Sequence, residues 1–274
     1  MTARNDSDSL LEARIGDMLD KARKGNLACI PFLTPRDARQ AERILRSYGA
    51  YGQAWFWGGY RDAERVCLFL LPDYLLACLP DEIVPRDDDD ALLSLLEDEV
   101  REAVSAVRIR GSGYRTLSHR DYLGSILGLG LERDALGDIA VQNEHEAVVF
   151  CPRKIGSFLL ESLVKVASDT VRCEEYEPDA QFTDGRKYRP VNDTVASARL
   201  DCVVAALTNL SREDAQRAVR TGLVEVEFEP EERVDRTLTP PMTISVRGYG
   251  RFVLRGFDGE TRKGRLRMRA DKLI

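Results

Sequence analysis

Basic and polar side chains recur at helical spacing near residue 212, and they form the first candidate binding site of this chain. Arg212, Gln216 and Arg220 are four residues apart, so a helix would place them on one face. Guanidinium groups bind phosphate oxygens bidentately, and a helix N-terminus adds backbone N–H donors. The spacing therefore predicts phosphate contact, although an ordinary basic surface is the better interpretation for the arginines taken alone.

A second candidate set lies in the segment RGYGRF at residues 247–252. Arg247 and Arg251 supply positive charge, and Tyr249 supplies an aromatic face on which a base can stack. The glycines between them allow close approach of the backbone. A basic surface with a core tyrosine is the alternative, but both sets together, in this order, favour contact with RNA.

Catalytic chemistry finds little support in the sequence. A histidine-based nucleophilic triad would need His119 or His145, the two histidines of the chain. His119 opens a predicted helix beside Arg120, where contact with an RNA phosphate is the better interpretation. Gly128 and Gly130 lack the third glycine of a dinucleotide loop. We expect no enzyme activity, cofactor or metal, while an RNA-modifying enzyme that uses Asp201 or His119 stays an alternative, as does a protein-interaction module.

The elements around residue 212 follow from periodicity and capping signals. Apolar residues at i, i+3, i+4 and i+7 predict a buried helix stripe of Leu200, Val203, Val204 and Leu207. Ser211 then stands at an N-cap position with Asp214 three residues later, which indicates a second helix. Gly222 is typical of a helix end. Alternation predicts a strand over residues 224–228, and a later strand is expected over residues 244–252.

This order resembles the S-four RNA-binding domain, the alpha-L motif. The matching residues are Arg199, Leu200, Asp201, Ser211, Arg212, Ala215, Gln216, Thr221, Gly222 and the run 245–252. Two turns, at residues 227–230 and 241–242, depart from the usual pattern. The resemblance implies two short helices, a small twisted sheet and RNA contacts from Arg199, Ser211, Arg212, Gln216, Arg220, Thr221, Arg247, Tyr249 and Arg251.

Residues 101–177 predict the order βαββαβ of a ferredoxin-like, RRM-like domain. The predicted strands are 104–109, 139–141, 147–150 and 170–176, and the predicted helices start at Ser118 and span 155–163. Many RNA-recognition domains use this order. The paired aromatics of their central strands are missing apart from Phe150, which argues against ordinary single-strand stacking on this sheet.

The same segment resembles the bacterial YlmH family. The matching residues are Tyr114, Arg115, Leu117, His119, Arg120, Asp121, Leu123, Gly124, Leu127, Gly128, Leu129, Gly130, Arg133, Gly137, Asp138 and Ile139, together with 261–265 near the C-terminus. The resemblance implies an RNA-binding middle domain, with rRNA and tRNA as partners. It further implies binding to the large ribosomal subunit obstructed by peptidyl-tRNA, in ribosome-associated quality control.

The full chain is predicted to be α+β with three domains. They are an N-terminal α/β subdomain at 1–100, the RRM-like domain at 101–177 and, after a linker at 178–190, an S-four-type domain with a basic tail at 191–274. In the first, we expect a helix over residues 1–26, a helix capped by Thr34, strands 53–57 and 65–71, and a helix N-terminus rather than a metal site at the acidic run 87–90.

Composition limits the class of protein. The net charge of −6 argues against a uniformly basic coat, yet residues 247–274 carry nine Lys and Arg against three Asp and Glu. The polar start predicts no signal peptide, and no apolar run is long enough for a bilayer. Six cysteines without a CxxC pair favour buried free thiols in a reducing cytoplasm. We expect a cytoplasmic monomer that does not bind membranes.

Overall fold

The computed structural model describes residues 2–79, 85 and 89–274, with side chains from residue 9 onward. The chain divides into two units, Met1–Gly185 (unit 1) and Arg186–Ile274 (unit 2). Helices and sheets occur in both units, so the predicted α+β class is confirmed.

Unit 1 alternates helices with two antiparallel sheets. Its elements are α1 (Thr2–Arg23), β1 (Ala28–Leu33), α2 (Pro35–Ser47), β2 (Ala54–Trp57), β3 (Val66–Leu70), α3 (Asp73–Leu76), α4 (Asp89–Leu95), α5 (Glu97–Ala103), β4 (Ser105–Gly111), α6 (His119–Leu127), β5 (Ile139–Asn143), β6 (Glu146–Cys151), α7 (Arg153–Ser162), β7 (Lys165–Val166) and β8 (Asp169–Tyr176).

The first sheet of unit 1 has the strand order β1-β3-β2 and packs against α1 and α2. Thr34 caps α2 as predicted, since its hydroxyl accepts the Asp37 N–H at 3.2 Å. The apolar side of α1 is buried from Leu11 to Ala22, whereas Leu10, next to this stripe, is 63% exposed.

The acidic run at 87–90 coincides with the start of a helix where the structure describes it. Asp87 and Asp88 lie outside the described residues, and α4 begins at Asp89. The Trp55 indole N–H donates to Asp89 Oδ1 at 2.8 Å, and Arg61 lies 3.5 Å from Asp90. These two carboxylates therefore pair with neighbouring strands and loops of unit 1.

The second sheet has the order β5-β6-β4-β8-β7 with antiparallel pairing throughout. Helices α6 and α7 cover one face, where Ile109, Tyr122 and Leu159 are fully buried. The opposite face packs against the first sheet's Trp57 and α4–α5 through Phe150. Helix α7 begins two residues before the predicted position, directly after the Pro152 N-cap, and β7 was not predicted.

Part of the predicted linker packs against the rest of unit 1. Phe182 packs edge-on against Tyr60, with ring centres 5.2 Å apart, and the Gln142 side chain donates to Thr183 O at 2.9 Å. Residues 188–190, which the sequence placed in the linker, already belong to the first strand of unit 2. This part of the prediction missed the strand because Pro190 reads as a turn signal, whereas proline also fits an edge strand.

Unit 2 is a six-stranded antiparallel sheet with two helices. Its elements are β9 (Tyr188–Val195), α8 (Leu200–Thr208), α9 (Arg212–Arg220), β10 (Val224–Val226), β11 (Glu229–Pro230), β12 (Met242–Val246), β13 (Gly250–Glu260) and β14 (Leu266–Leu273). The strand order is β11-β10-β12-β13-β14-β9. The predicted helix stripe is buried. Its Val203 belongs to the same hydrophobic core as Val219 of α9 and Phe252 of β13.

Capping residues fix the short connection between α8 and α9. Asn209 ends α8 in the left-handed conformation, with φ 57°. Ser211 caps α9 as predicted by accepting the Asp214 N–H at 3.1 Å. At its end, the Gly222 N–H bonds Val219 O and the Leu223 N–H bonds Ala218 O, both at 3.0 Å, which is a Schellman motif. Gly222 has φ 69°, as this position requires.

Unit 2 differs from the prediction at three places. Strand β10 ends at Val226, because Glu227 and Phe228 have φ 55° and 66° and form a two-residue hairpin. Residues 247–249 form the turn between β12 and β13. Residues 261–265 are a hairpin loop, and the basic residues that follow lie on β14, between β13 and β9, instead of in a tail.

Not every cysteine is buried. Cys67, Cys151 and Cys202 are buried and Cys173 is half-buried, but Cys29 and Cys78 are exposed. All six are free thiols. Among the described residues, no helix is long and apolar enough to cross a membrane.

Candidate nucleic-acid interface

A buried carboxylate organises the predicted site on unit 2. Asp201, in the first turn of α8, is 0% exposed. Its Oδ1 accepts Arg199 Nε at 3.1 Å and the Cys202 N–H at 3.0 Å. Its Oδ2 accepts Arg199 Nη2 at 3.3 Å, Arg212 Nε at 3.2 Å and Gln216 Nε2 at 2.8 Å. Three predicted RNA-binding residues are therefore brought together around one carboxylate.

The hydrogen bonds keep Asp201 ionised in spite of its burial. Burial alone would raise its pKa, but the bonds from Arg199, Gln216 and Arg212 outweigh burial and hold the pKa well below its ordinary value. The Asp201 carboxylate therefore stays charged at neutral pH. It fixes two guanidinium groups, of which the Arg199 side chain is 37% and the Arg212 side chain 58% exposed.

The acidic loop of residues 231–238 supports the start of α8. The Leu200 N–H donates to Arg236 O at 2.9 Å, and the Asp201 N–H donates to Val234 O at 3.1 Å. Glu231 fixes this loop by accepting Arg233 Nε at 3.2 Å and Arg236 Nη1 at 2.7 Å. Because the first helix N–H groups already have carbonyl partners, any anion here must be bound by side chains.

Two predicted contact residues act in helix caps. The Ser211 hydroxyl donates to Asp214 Oδ2 at 2.6 Å as well as accepting the Asp214 N–H. The Thr221 hydroxyl donates to Arg217 O at 2.8 Å. Arg220, by contrast, is exposed at the end of α9. It lies eight residues beyond Arg212, about 12 Å along the same helix face.

The turn at residues 247–249 lies beside the end of α9. The Arg247 N–H donates to Leu223 O at 2.9 Å, and Tyr249 is 40% exposed. This turn therefore lies next to the end of α9, where Arg220 is exposed. Arg251 is half-buried, and its guanidinium lies 5.2 Å from the centre of the Phe228 ring, which gives it a packing role at the neighbouring hairpin.

The remaining predicted residues, His119 and Arg120, belong to unit 1. Ser118 caps α6 in a capping box with Asp121, as predicted, and both His119 and Arg120 are exposed in the first turn. Partial desolvation of the ring lowers the pKa of His119, the charge of Arg133 lowers it further, and Asp138 opposes both. The lowered pKa favours the neutral imidazole, which offers hydrogen bonds rather than charge.

Sequence patterns missed the anchoring roles of Asp201 and Glu231. Asp201 stands two residues after Arg199, a spacing that carries no signal by itself, and its other partners come from the next helix. Asp138, part of the second resemblance, also has a structural role: Oδ2 accepts the Tyr60 hydroxyl at 2.8 Å and the Glu64 N–H at 2.7 Å.

Comparisons with known proteins agree with an RNA-binding class. Residues 104–180 match the family described as "Putative RNA-binding domain in YlmH". Over 241 residues the chain is 30% identical to the "Ribosome-associated protein quality control protein P2" of Bacillus subtilis (strain 168), which covers 86% of this chain and 84% of that protein. The chain belongs to the YlmH family. A solved structure, "Cell division protein ylmH from Streptococcus pneumoniae", covers 64% of this chain and 92% of its own, with 20% identity and a TM-score of 0.47.

Proposed function

We propose that this protein is a non-catalytic, cytoplasmic RNA-binding protein that acts as a monomer on the ribosome. It binds rRNA and tRNA on the large subunit obstructed by peptidyl-tRNA, in ribosome-associated quality control. Unit 2 is the S-four-type, alpha-L RNA-binding domain, and the RRM-like part of unit 1 makes a second contact. The relative named for ribosome-associated quality control supports the pathway, and the matched domain supports RNA as the ligand.

The observation that carries this proposal is the Asp201 cluster. One buried carboxylate holds Arg199 and Arg212 in place while more than a third of each side chain stays exposed. Fixed guanidinium groups lose less rotamer freedom when they bind a phosphate. Arg220 on the same helix and Arg247 in the turn beside its end are also exposed, and these four arginines are the proposed phosphate contacts.

The same cluster disfavours Asp201 as a catalytic residue. Both carboxylate oxygens are occupied by donors of the protein itself, and no part of Asp201 is exposed to solvent. A catalytic carboxylate must touch the reacting base. Incubation with rRNA and tRNA, followed by mass measurement of the nucleosides, should therefore find no modified nucleotide.

The proposal predicts a steep dependence of affinity on salt. Contacts to phosphates release bound cations, so the logarithm of the association constant falls linearly with the logarithm of the salt concentration. Affinity should be measured for purified large subunits, large subunits with peptidyl-tRNA, and small subunits, at several salt concentrations. The proposal expects the tightest binding to the obstructed large subunit. Equal binding to all three particles, or affinity independent of salt, would contradict it.

A further inference from the structure

The face of the second sheet that would stack bases is covered in this protein. RNA-recognition sheets commonly stack bases on aromatics of their central strands. Phe150 holds such a position on β6, but it is fully buried, with the Tyr60 ring centre 4.9 Å away and the Phe182 ring centre 5.6 Å away. A Cβ added at Gly59 would lie 2.4 Å from the Phe150 ring. No base can reach Phe150 without displacing this packing.

Charged pairs occupy the part of that face around Arg108 and Arg110. Arg108 lies 3.5 Å from Glu146 and 3.4 Å from Glu174, and its guanidinium carbon is 3.7 Å from the centre of the Tyr176 ring. Arg110 contacts the same two carboxylates at 3.1 and 3.0 Å. These arginine charges are balanced, and one side of the Tyr176 ring is occupied. Phe150 is therefore closed to bases, and base stacking in this domain is expected at a different surface.

The loop between β4 and α6, residues 112–118, exposes an aromatic side chain. Tyr114 is 97% exposed. On the N-terminal side of Tyr114 the loop is fixed by Asp169, which accepts the Ser112 N–H at 3.0 Å and the Ser112 hydroxyl at 2.5 Å. On the C-terminal side it is fixed by Leu117, which is buried and whose N–H donates to Glu144 O at 2.8 Å. A fixed loop therefore presents this ring to solvent.

Positive charge flanks the ring in sequence and on the next helix. Arg115 and Arg120 are both exposed. His145 Nδ1 lies 2.9 Å from Arg115 O, which fixes the backbone at this point. The carboxylate of Asp121 is engaged by the Ser118 N–H and hydroxyl, at 2.9 and 2.6 Å. The loop and the first turn of α6 thus combine a stacking face, Tyr114, with two exposed arginines.

We propose that unit 1 binds an unpaired RNA nucleotide at this loop. The Tyr114 ring stacks on the base, and Arg115 and Arg120 contact the phosphates on either side. Stacking needs an unpaired base, so the site selects single-stranded over double-stranded RNA. The inference rests on the proposed function only for RNA as the ligand, and it does not require the ribosome.

The test compares Tyr114→Ala and Tyr114→Phe with the matched control Tyr74→Ala. Tyr74 is also exposed, at 57%, and also lies in unit 1. The probes are a fluorescent 12-nucleotide RNA of mixed adenine and uracil without self-complementarity and the same RNA annealed to its complement as a blunt duplex. Binding of the full chain is followed by fluorescence anisotropy, and circular dichroism checks that each variant is folded.

Tyr114→Ala should weaken binding of the single strand about 5- to 150-fold, the range for loss of one stacked base. Tyr114→Phe and Tyr74→Ala should bind the single strand like the wild type, and binding of the duplex should be little affected by any of the three substitutions. Wild-type affinity in Tyr114→Ala, an equal loss in Tyr114→Phe, or no single-strand binding by the wild type would overturn the inference. If the wild type binds ribosomes but Tyr114→Ala does not change the affinity for the single-stranded oligonucleotide, this inference fails and the proposed function stands. If Tyr114-dependent binding occurs without ribosome binding, the proposed function fails alone.

Discussion

Replacing Asp201 with asparagine tests whether this carboxylate holds the two arginines in place. Asparagine keeps one side-chain oxygen but has an NH₂ group in place of the other. This group cannot accept the hydrogen bonds that the replaced oxygen accepts in the wild type. In the wild type Oδ2 accepts three such donors, from Arg199, Arg212 and Gln216. Bonds to a charged group contribute about 1.5–3 kcal/mol each, and removing one partner of a buried pair costs about 3–5 kcal/mol. The arginines are partly exposed and can turn to water, so we expect a loss of about 2–3 kcal/mol.

Hydrogen exchange of the α8 and α9 amides in the full chain measures this loss within unit 2. The matched control is Glu232→Gln, which makes the same charge change at an exposed position of the same unit. It should alter the free energy of unfolding by less than about 0.5 kcal/mol. A loss for Asp201→Asn no larger than the control's would refute the anchoring role.

The pH dependence of the same difference provides an independent check. The pKa of Asp201 is lowered in the folded protein, so its stabilising contribution is complete above the ordinary value of 3.8 and declines as the pH falls below it. The difference between wild type and Asp201→Asn should be constant from pH 7 to about 4.5 and shrink in more acidic solution. A difference that stays the same down to pH 2.5 would contradict this cause.

Four further substitutions test other parts of the structure by urea unfolding. The pKa of Glu231 is lowered to about 2, because hydrogen bonds from Arg233 and Arg236 outweigh its burial; Glu231→Gln should destabilise unit 2 by up to about 3 kcal/mol above pH 4.5, with the difference lost toward pH 2. Gly59→Ala should destabilise unit 1 by about 2–4 kcal/mol, because Gly59 has φ 101° and an added methyl group would clash with Phe150. Gly113 has φ 90° but open space around it, so Gly113→Ala should cost only the backbone strain, about 1 kcal/mol. Gly222→Ala should weaken the end of α9 by about 1 kcal/mol. Equal losses for Gly59→Ala and Gly113→Ala would mean that Phe150 does not restrict this position.

Local signals in the sequence predicted the helices well where a cap and an apolar stripe coincide. Thr34, Ser118 and Ser211 each cap the helix that follows, because the cap depends on residues within one turn. The buried stripe of α8 also follows from spacing alone.

Features that depend on distant partners were not predictable in this way. Phe228 alternates correctly for a strand, but Val226 pairs with Glu229 across the hairpin, so the chain turns there. The basic C-terminal residues look like a tail in the sequence, but in the structure they form β14, which pairs with β13 on one side and β9 on the other. The candidate site shows the same limit: the arginines were identified by type and spacing, but their shared partner Asp201 became visible only once α8 and α9 were packed together.

The central claim is that the basic surface of unit 2 binds the large ribosomal subunit. Arg220→Glu with Arg247→Glu reverses two exposed charges without touching the Asp201 cluster, which Arg212→Glu would disrupt. Arg14→Glu with Lys24→Glu is the matched control, since it makes the same charge change on exposed residues of unit 1.

The decisive measurement is sedimentation of the tagged full chain in a sucrose gradient of its host's lysate, at low and moderate salt. Wild type and control should migrate with large subunits at low salt and less so at moderate salt, whereas the Arg220→Glu, Arg247→Glu variant should remain at the top. Wild type at the top in both salts, or a variant that still migrates with large subunits as the control does, would contradict binding of the large subunit by the basic surface of unit 2.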